Sequence, residues 1–347
     1  MQREAYFDNA KLVFIFLVVF GHLIQPLKQH IELVNVLYQW IYLFHMPVFI
    51  LVSGFFAKGA SDKGYLLKLA KRILIPYFLF QVFYSVYFLS IGKNSWDTTL
   101  YDPHWGLWFL LSLFSWHILL IGFKKLKPFY GISLAFVIGV LVGYLPFIGP
   151  SFSLSRTLVF FPFFLIGYWL SKDQIFKWQT VNKKAIAVGA LMAVFIVSYV
   201  TPTIPSEWLF GSHSYQVLDA AANGGLIRAL LYIVATIMVF SVLLLVPNKH
   251  YSFTTLGQNT MYVYLLHGVF IQYGRQAHLL AVDQNLDTLG LAVIAAAIVW
   301  FLASKWVVTF TQPIVEGRTD RIQQWWKERK NKHQSSDQVY QYQEKSS

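Results

Sequence analysis

Residues 8–22 read DNAKLVFIFLVVFGH and place an apolar run between two ionisable side chains, Lys11 and His22. In an α-helix the steps from Lys11 to His22 span about 16 Å and return to within about 20° of the same face. The stretch therefore predicts a helix of membrane length with both groups on one stripe, Lys11 near its start and His22 well inside. An imidazole at that depth is unfavourable in lipid and is expected to face a polar cavity or a partner. The alternative is that His22 only bonds a neighbouring helix while Lys11 reaches the headgroups.

The composition is that of an integral membrane protein, because 56% of the 347 residues are hydrophobic and only 13% are charged. Soluble globular domains carry roughly 25% charged residues, so a soluble protein is excluded. The chain has no cysteine, which removes disulfides, thiolate metal ligands and cysteine nucleophiles. The formal net charge of +12 would suit a nucleic acid, but the cations lie between and after apolar segments, as membrane topology requires. We therefore expect no nucleic-acid partner, and the absence of a spacing such as HExxH predicts no metal.

Apolar windows follow one another along the chain and predict an all-α, polytopic membrane protein with about ten transmembrane helices. The windows are 10–27, 36–57, 73–91, 105–123, 130–147, 156–171, 185–201, 226–246, 258–276 and 288–311. Most of the 28 Lys and Arg fall in connections on one side of this arrangement, the side that also holds both chain ends. Because cations concentrate on the cytoplasmic side, both termini are predicted to be cytoplasmic. The few cations on the opposite, outer side are Lys28, Lys93, Arg156, Arg228 and Arg275.

The chain is predicted to divide near residue 317. Residues 1–317 carry the apolar windows and form the predicted membrane domain. Residues 318–347 are charged and rich in glutamine, and form a predicted basic cytoplasmic tail. Its start, RIQQWWKERK, suits a short amphipathic helix at the membrane surface, whereas its last dozen residues are predicted to be disordered. The connection at roughly 202–225 contains several prolines and glycines and is predicted to be an ordered loop or lid.

The second window contains FHMPVFILVSGFF, in which His45 is a second ionisable group within an apolar segment. Because this helix runs opposite to the first, His45 is brought to a depth similar to that of His22. Two imidazoles at one level of adjacent helices form a candidate pair for moving a proton. The alternative is that His45 makes an interhelical hydrogen bond only. In the same segment Ser53 and Gly54 favour close helix packing over a nucleophile.

The predicted outer side carries an arginine and two tryptophans that point to substrate binding. Trp105 and Trp108 begin the stretch HWGLWFLLSLFSW and are three residues apart, so they share a helix face. They suit stacking on a sugar ring or, alternatively, the interfacial aromatic belt. Arg156 begins SRTLVFFPFFLIG on the side where few cations are expected. It suits orienting a polar acceptor or stabilising an oxyanion, with a structural salt bridge as the alternative.

Two further groups complete the candidates. Lys71 and Arg72 lie in KLAKRILIPYF at the predicted cytoplasmic mouth, where they suit a phosphate site or only the usual charge bias of that side. His267 lies in MYVYLLHG, where it shares a face with Tyr264 in the middle of a window. A packing role for His267 is the alternative to a direct role in chemistry.

Taken in order, these motifs resemble the acyltransferase-3 family of bacterial membrane O-acyltransferases, and within it the branch of fucose 4-O-acetylases. They are Lys11-x10-His22, FHMPVFILVSGFF, KRILIPYF, HWGLWFLLSL, SRTLVFFPFFLIGY and MYVYLLHG, and they span nearly the whole predicted membrane domain. The resemblance implies a ten-helix domain in the bacterial plasma membrane that moves an acyl group to a hydroxyl of a glycan or glycolipid. The usual donor is cytoplasmic acetyl-CoA. Some relatives carry an additional hydrolase-like domain, and here we expect the membrane domain to complete the transfer itself.

The resemblance also implies roles for single residues. His22 is expected to act as general base on the acceptor hydroxyl, or as a transient acyl carrier. The catalytic candidates are His22, His45 and Arg156. The candidates for binding acetyl-CoA are Lys11, Lys71 and Arg72. The candidates for binding substrate are Trp105, Trp108, His267 and Asp8, of which Asp8 is equally suited to a helix-start charge. Lysine at position 11 lacks the bidentate fork of the family's commoner arginine.

A proton-coupled transporter or flippase of a glycan or glycolipid is the main alternative, since buried histidines and an outer arginine also suit a carrier. A glycan-binding membrane scaffold is a third hypothesis. The sequence leaves open the acceptor, the choice between acetyl and succinyl, the side on which transfer occurs, direct transfer against an acyl-enzyme, and the oligomeric state.

Overall fold

The computed structural model describes residues 5–59, 64–93, 99–279, 284, 287–318 and 321–327, and this part of the chain is helical with no β-strand. The α-helices are α1 (Ala5–Ile24), α2 (Glu32–Phe55), α3 (Tyr65–Ser90), α4 (Trp108–Phe123), α5 (Pro128–Leu141), α6 (Leu154–Trp169), α7 (Lys172–Trp178), α8 (Val181–Val200), α9 (Ser206–Phe210), α10 (Gly224–Leu245), α11 (Thr260–Gln276), α12 (Asp287–Leu302) and α13 (Lys305–Glu316). Short 3-10 turns lie at Gln25–Gln29, Phe56–Gly59, Val142–Tyr144, Ser151–Ser153 and Thr254–Asn259. The predicted all-helical fold is confirmed.

Each predicted window overlaps a helix, but the number of membrane spans differs from the prediction. Within the described residues, 6 helices are long and apolar enough to cross a membrane, namely α1, α2, α3, α6, α8 and α10. The number is 7 if the bent pair of α12 and α13 is one span. The apolar helices α4 and α5 are shorter, and the 16 residues of α4 rise only about 24 Å, less than a hydrocarbon core of about 30 Å. About six spans are therefore found, and the count of ten is not confirmed.

The last window, 288–311, is not one helix but the pair α12 and α13, whose axes differ by 68°. The side chain of Ser304 caps α13 by accepting a hydrogen bond from the backbone N–H of Val307 at 3.5 Å. Asn259 donates to the carbonyl oxygen of Ala303 at 2.9 Å. These bonds satisfy backbone groups at the break, so the chain turns where the apolar pattern alone predicts a continuous helix.

α1 lies in the interior of the bundle, in contact with α2, α11 and α12. One face of its middle is buried, as Phe14, Ile15 and Val19 are each 0% exposed, whereas Val13 on another face is 39% exposed. Its polar side chains are confined to its two ends, with Asp8 near the N-terminus and His22 near the C-terminus. The segment that decides the fold therefore links two polar regions through an apolar core.

α2 and α6 make a close helix pair through two glycines. A Cβ atom added to Gly54 would overlap the backbone oxygen of Phe164, and one added to Gly167 would overlap the backbone oxygen of Leu51. Without side chains at these positions the two backbones approach closely, as small residues permit in membrane helices. The packing interpretation of Gly54 is confirmed, and it fixes α6 beside α2 where both border the site described below.

The connection at 202–225, predicted to be an ordered loop or lid, packs against the bundle. It contains α9, whose Trp208 is buried, and Tyr215, which is 0% exposed. Arg228 at the start of α10 donates through Nη1 to the carbonyl oxygen of Trp208 at 2.8 Å. This hydrogen bond and the buried rings hold α9 against the bundle.

The predicted tail begins as a helix. Residues 321–327 are helical, and the ring of Trp325 lies 5.4 Å from that of Phe310 on α13. The last dozen residues, for which disorder is predicted, lie outside the described residues. The division of the chain near residue 317 stays a prediction.

Candidate active site

A cavity of about 300 Å³ lies beside His22 at the C-terminal end of α1. It lies where α1, α2 and α6 meet the segment before α4 and the short helix α9. The residues that line it are His22, Gln25, Tyr42, His45, Met46, Asp102, Pro103, Trp105, Trp108, Pro150, Arg156, Phe160, Leu209 and Phe210. Imidazoles, a carboxylate, a guanidinium and aromatic rings are thus brought together, a mixture that suits a polar ligand with extended carbon faces. Five of the predicted site residues line this one cavity, namely His22, His45, Arg156, Trp105 and Trp108.

The imidazole of His22 lies among aromatic rings. Its Nδ1 lies 3.1 Å from the hydroxyl oxygen of Tyr42, within hydrogen-bond distance. The ring centroid lies 4.2 Å from that of Trp105 and 5.7 Å from that of His267. Tyr42 also contacts His45, at a ring-centroid distance of 4.4 Å. The two histidines predicted as a proton-handling pair are therefore connected through the Tyr42 side chain.

Two buried histidines have a tautomer set by the backbone. Nδ1 of His45 lies 2.9 Å from the carbonyl oxygen of Ile41, and Nδ1 of His267 lies 2.9 Å from that of Val263. A carbonyl oxygen can only accept, so in both rings Nδ1 carries the proton and donates. In a neutral imidazole Nε2 is then a proton acceptor. Nε2 of His267 is buried and has no hydrogen-bond partner within the described residues.

Trp105 is held in a constrained position between His22 and α11. Its backbone has φ of +35°, in the region that residues other than glycine seldom adopt. Its ring centroid lies 5.1 Å from that of His267. A Cβ atom added to Gly268 would lie 2.8 Å from the ring of Trp105 and 2.5 Å from the hydroxyl of Tyr84. The glycine therefore leaves the space that the tryptophan ring occupies beside His22.

The segment that carries Trp105 is anchored to α3. The side chain of Gln81 donates to the carbonyl oxygen of Asp102 at 2.9 Å and accepts from the backbone N–H of His104 at 3.0 Å. Nε2 of His104 lies 2.8 Å from the hydroxyl of Ser85. Burial lowers the pKa of His104, and the nearby ammonium of Lys93 lowers it further. The imidazole is therefore neutral at ordinary pH, and this anchor does not change charge there.

Arg156 projects from α6 onto the cavity. Its guanidinium carbon lies 5.1 Å from the ring centroid of Trp108, a cation–π arrangement. Its Nε is buried without a hydrogen-bond partner, and it forms no ion pair within the part of the chain that the structure describes. The cavity also contains the carboxylate of Asp102, which accepts a hydrogen bond from the hydroxyl of Thr99 at 2.9 Å. Arg156 thus faces the cavity with hydrogen-bonding capacity that its described neighbours leave unused.

Arg275, at the end of α11, braces the end of α1. It donates through Nη2 to the carbonyl oxygen of His22 and, at 3.1 Å, to the side-chain oxygen of Gln25. Its guanidinium carbon lies 5.9 Å from the ring centroid of Trp105. Arg275 therefore satisfies a carbonyl at the C-terminus of α1 and holds the backbone of His22 in position beside the cavity.

Sequence reasoning missed Tyr42, Gln25 and Arg275, although all three lie beside the cavity or its histidines. Tyr42 precedes His45 by three positions on α2 and shares its helix face, a signal that was present. Arg275 carried the same signal as Arg156, since both are arginines on the predicted outer side. Gln25 follows the end of α1 directly and carried no signal of its own.

The other predicted residues lie elsewhere. Asp8 and Lys11 lie at the opposite end of α1, where they form an ion pair at 2.7 Å. Lys71 and Arg72 lie near the start of α3, and both side chains are exposed. None of these four lines the cavity. Among the described residues no group of three His, Asp or Glu side chains could hold a metal ion.

Comparison with known proteins gives two matches. A family model described as "Acyltransferase domain" matches residues 4–309. Nodulation protein NolL of Sinorhizobium fredii is 26% identical to this chain over 199 residues. That alignment covers 53% of this chain and 51% of the relative, so the chain spans about half the length of the curated relative it matches. No solved structure matches the chain.

Proposed function

The chain belongs to the acyltransferase-3 family, and we propose that it moves an acetyl group from cytoplasmic acetyl-CoA to a hydroxyl of a glycan. The glycan is a cell-surface or secreted polysaccharide, or its lipid-linked precursor. The enzyme works in a bacterial plasma membrane with both termini in the cytoplasm, which turns the cavity beside His22 toward the outer side. Family membership supports acyl transfer within the membrane, and the site supports the more specific assignment.

The position of His22 is the observation that carries the proposal. His22 lines the cavity, and its Nδ1 lies within hydrogen-bond distance of the Tyr42 hydroxyl. When Nδ1 carries the proton and donates a hydrogen bond to the Tyr42 oxygen, Nε2 keeps its lone pair and can accept a proton. His22 is then the general base, and Tyr42 is the group that orients its ring. The nucleophile is the acceptor hydroxyl.

The transfer is a single exchange of bonds at the thioester carbonyl. The acceptor oxygen forms a bond to that carbon while its proton passes to Nε2 of His22. The carbon–sulfur bond then breaks, and the imidazolium returns the proton to the CoA thiolate. The products are an acetyl ester and free CoA, and His22 ends in its starting state. The ring of His45 lies 4.4 Å from that of Tyr42 between centroids, and His45 assists by holding the Tyr42 ring in place.

The acceptor binds from the cavity. A sugar ring suits the faces of Trp105 and Trp108, because apolar sugar faces stack on aromatic rings. Arg156 lies on Trp108 with buried, unused donor capacity. It is placed to stabilise the oxyanion that develops on the carbonyl oxygen, a role for a preorganised donor.

The donor binds from the opposite face of the bundle. Lys71 and Arg72 are exposed on α3 and are suited to the phosphates of CoA, which Arg binds with a fork and Lys as a point charge. Lys11 lies on the same stripe of α1 as His22, roughly 16 Å away along the helix axis. Asp8 pairs with Lys11 at 2.7 Å and orients it.

The test compares two buried histidines. Membranes containing the wild-type chain, His22→Gln or His117→Gln are supplied with radiolabelled acetyl-CoA, and label in the glycan and lipid fractions is counted. His117 is the matched control, because its Nδ1 also lies 3.1 Å from a tyrosine hydroxyl, that of Tyr65, yet it does not line the cavity. We expect His22→Gln to lose at least roughly 100-fold in rate, the usual contribution of a general base, and His117→Gln to keep its rate per folded molecule.

Three outcomes would contradict the proposal. Equal rates for wild type and His22→Gln would remove His22 as the base. Equal losses in both variants, with both proteins folded, would mean that buried histidines act through structure alone. Movement of a glycolipid across the membrane without consumption of acetyl-CoA would favour the transporter or flippase.

A further inference from the structure

His22 borders a second cavity, separate from the one that opens beside it. This cavity has a volume of about 20 Å³. Its walls are mostly apolar and include Ile15, Val18, Met46, Phe49 and Phe109. His22, Met46 and Trp108 line both cavities and so separate them. The imidazole of His22 therefore borders a large cavity of mixed polar and apolar lining on one side and a small, mostly apolar cavity on the other.

The small cavity lies on the side of His22 that faces Lys11. On α1, Ile15 and Val18 precede His22 and continue its stripe back toward Lys11 at helical spacing. On α2, which runs the opposite way, Phe49 follows His45 by one turn. Both α1 and α2 thus line the small cavity with residues that lie nearer to Lys11 than the two histidines do. The cavity accordingly points toward the half of the bundle from which the donor is proposed to enter.

The polar groups around this cavity are few. The hydroxyl of Tyr264 is committed to the carbonyl oxygen of Gly106. His267 also lines the cavity, and its buried Nε2 has no partner among the described residues. A volume of about 20 Å³ holds roughly one water molecule or one methyl group. The lining therefore suits a single small apolar group held against two imidazoles.

We propose that this cavity is the acyl pocket and that it restricts the donor to acetyl. The inference rests on the proposed function, since it assigns the acyl end of the acyl-CoA. The acetyl methyl group occupies the space beside Val18, and the carbonyl carbon lies at His22, where the acceptor arrives from the larger cavity. Propionyl adds a methylene for which there is no room. Succinyl would bury a carboxylate among apolar side chains, which is strongly unfavourable.

The test uses neighbouring valines of α1. Val18 is 6% exposed and lines the pocket, whereas Val19 is 0% exposed and does not line it. Binding of acetyl-CoA, propionyl-CoA and CoA to the purified full chain in detergent is measured by calorimetry. The variants are Val18→Ala, which enlarges the pocket, and Val18→Ile, which fills it. Their controls are Val19→Ala and Val19→Ile.

Wild type is expected to bind acetyl-CoA at least roughly tenfold more tightly than propionyl-CoA, because one methylene in an apolar pocket changes discrimination by roughly 10–200-fold. Val18→Ala should bring that ratio close to one, while Val19→Ala should leave it unchanged. Val18→Ile should reduce the affinity for acetyl-CoA to that for CoA. Equal binding of both acyl-CoAs by wild type, or equal ratios in the two alanine variants, would overturn the acyl pocket alone. Absence of any acetyl-CoA or CoA binding by folded wild type would overturn the proposed function itself.

Discussion

The two ends of α1 are both polar, but they differ in how their polar atoms are bonded. At the N-terminal end the buried side chain of Asn9 donates to the carbonyl oxygens of Pro247 and Lys249, both at 2.9 Å, and accepts from the hydroxyl of Thr254 at 2.7 Å. At the C-terminal end, around His22, three buried nitrogens have no partner within the described residues. They are Nε of Arg156, Nε of Arg275 and Nε2 of His267.

The difference in hydrogen bonding indicates a structural role for the polar atoms around Asn9 and a functional role for those around His22. Buried polar atoms in native proteins are nearly always hydrogen-bonded, so a cluster that leaves several unbonded needs an explanation. A ligand that supplies the missing partners is one such explanation, and the adjoining cavity gives it space. At the other end the backbones approach so closely that a Cβ atom at Gly257 would overlap the backbone oxygen of Asp8. We therefore expect the hydrogen-bonded Asn9 at the N-terminal end to respond to substitution in stability, and the His22 end to respond in activity.

Arg156→Gln tests the His22 end and should give a large effect on activity. Loss of one preorganised oxyanion donor lowers the rate by roughly 10²–10³-fold. The free energy of unfolding should change little, because the guanidinium forms no ion pair in the described part of the chain. The measurements are the acetyl-transfer rate and a chemical unfolding curve in detergent.

Arg156→Lys is the matched variant, since it keeps the charge and removes the planar fork. It should recover part of the rate lost in Arg156→Gln. A large loss of stability in either variant, with the rate per folded molecule kept, would make Arg156 structural and would erase the difference between the two ends.

The apolar pattern predicted the helices because burial in lipid and core is a local property of each window. It could not predict the break near Ser304, since that depends on Asn259, which is distant in sequence and bonds the freed carbonyl. It also could not supply the number of spans. Whether a helix is long enough to cross the bilayer depends on where the helix ends, and helix ends are set by caps and tertiary hydrogen bonds.

The candidate site was predictable only where an ionisable side chain lies deep within an apolar window. His22 and His45 stood out because imidazoles are rare within apolar windows. Tyr42 did not, because tyrosine is common in membrane helices and its role depends on a 3.1 Å contact with another helix. The unbonded Nε2 of His267 was equally invisible, since the bond of its Nδ1 to the Val263 carbonyl exists only in the folded helix.

Asn9→Leu tests the opposite end and should give a large effect on stability. The substitution removes three hydrogen bonds and leaves buried carbonyls unpaired, which should lower the free energy of unfolding by about 2–4 kcal/mol. The acetyl-transfer rate per folded molecule should stay within about twofold, since the change is roughly 20 Å from His22 along α1.

Asn35→Leu is the control for Asn9→Leu. Asn35 makes one exposed hydrogen bond, to the hydroxyl of Thr203 at 2.8 Å, so its replacement should cost about 1 kcal/mol or less. If Asn9→Leu abolished transfer in protein as stable as wild type, the N-terminal end would belong to the functional site.

Lys11→Met should give the smallest effect and shows whether the N-terminal end is purely structural. The Lys11–Asp8 pair, at 2.7 Å, has side chains that are 18% and 4% exposed. Even so, Gln258 also donates to Asp8, at 3.1 Å, so the carboxylate keeps a partner when the ammonium is removed. We expect the free energy of unfolding to fall by about 1 kcal/mol or less. If Lys11 contacts a CoA phosphate, the affinity for acetyl-CoA should fall by up to about tenfold, or about 1.4 kcal/mol.

Lys125→Met, at an exposed lysine after α4, controls for the loss of one positive charge. Calorimetric titration with acetyl-CoA separates the two roles of Lys11, because an ion pair that only holds α1 in place would lower stability without changing affinity. Weaker binding in Lys11→Met but not in Lys125→Met would extend the functional stripe of α1 from His22 to its other end. Unchanged binding together with a stability loss above about 2 kcal/mol would remove Lys11 from the donor site and make the N-terminal end structural throughout.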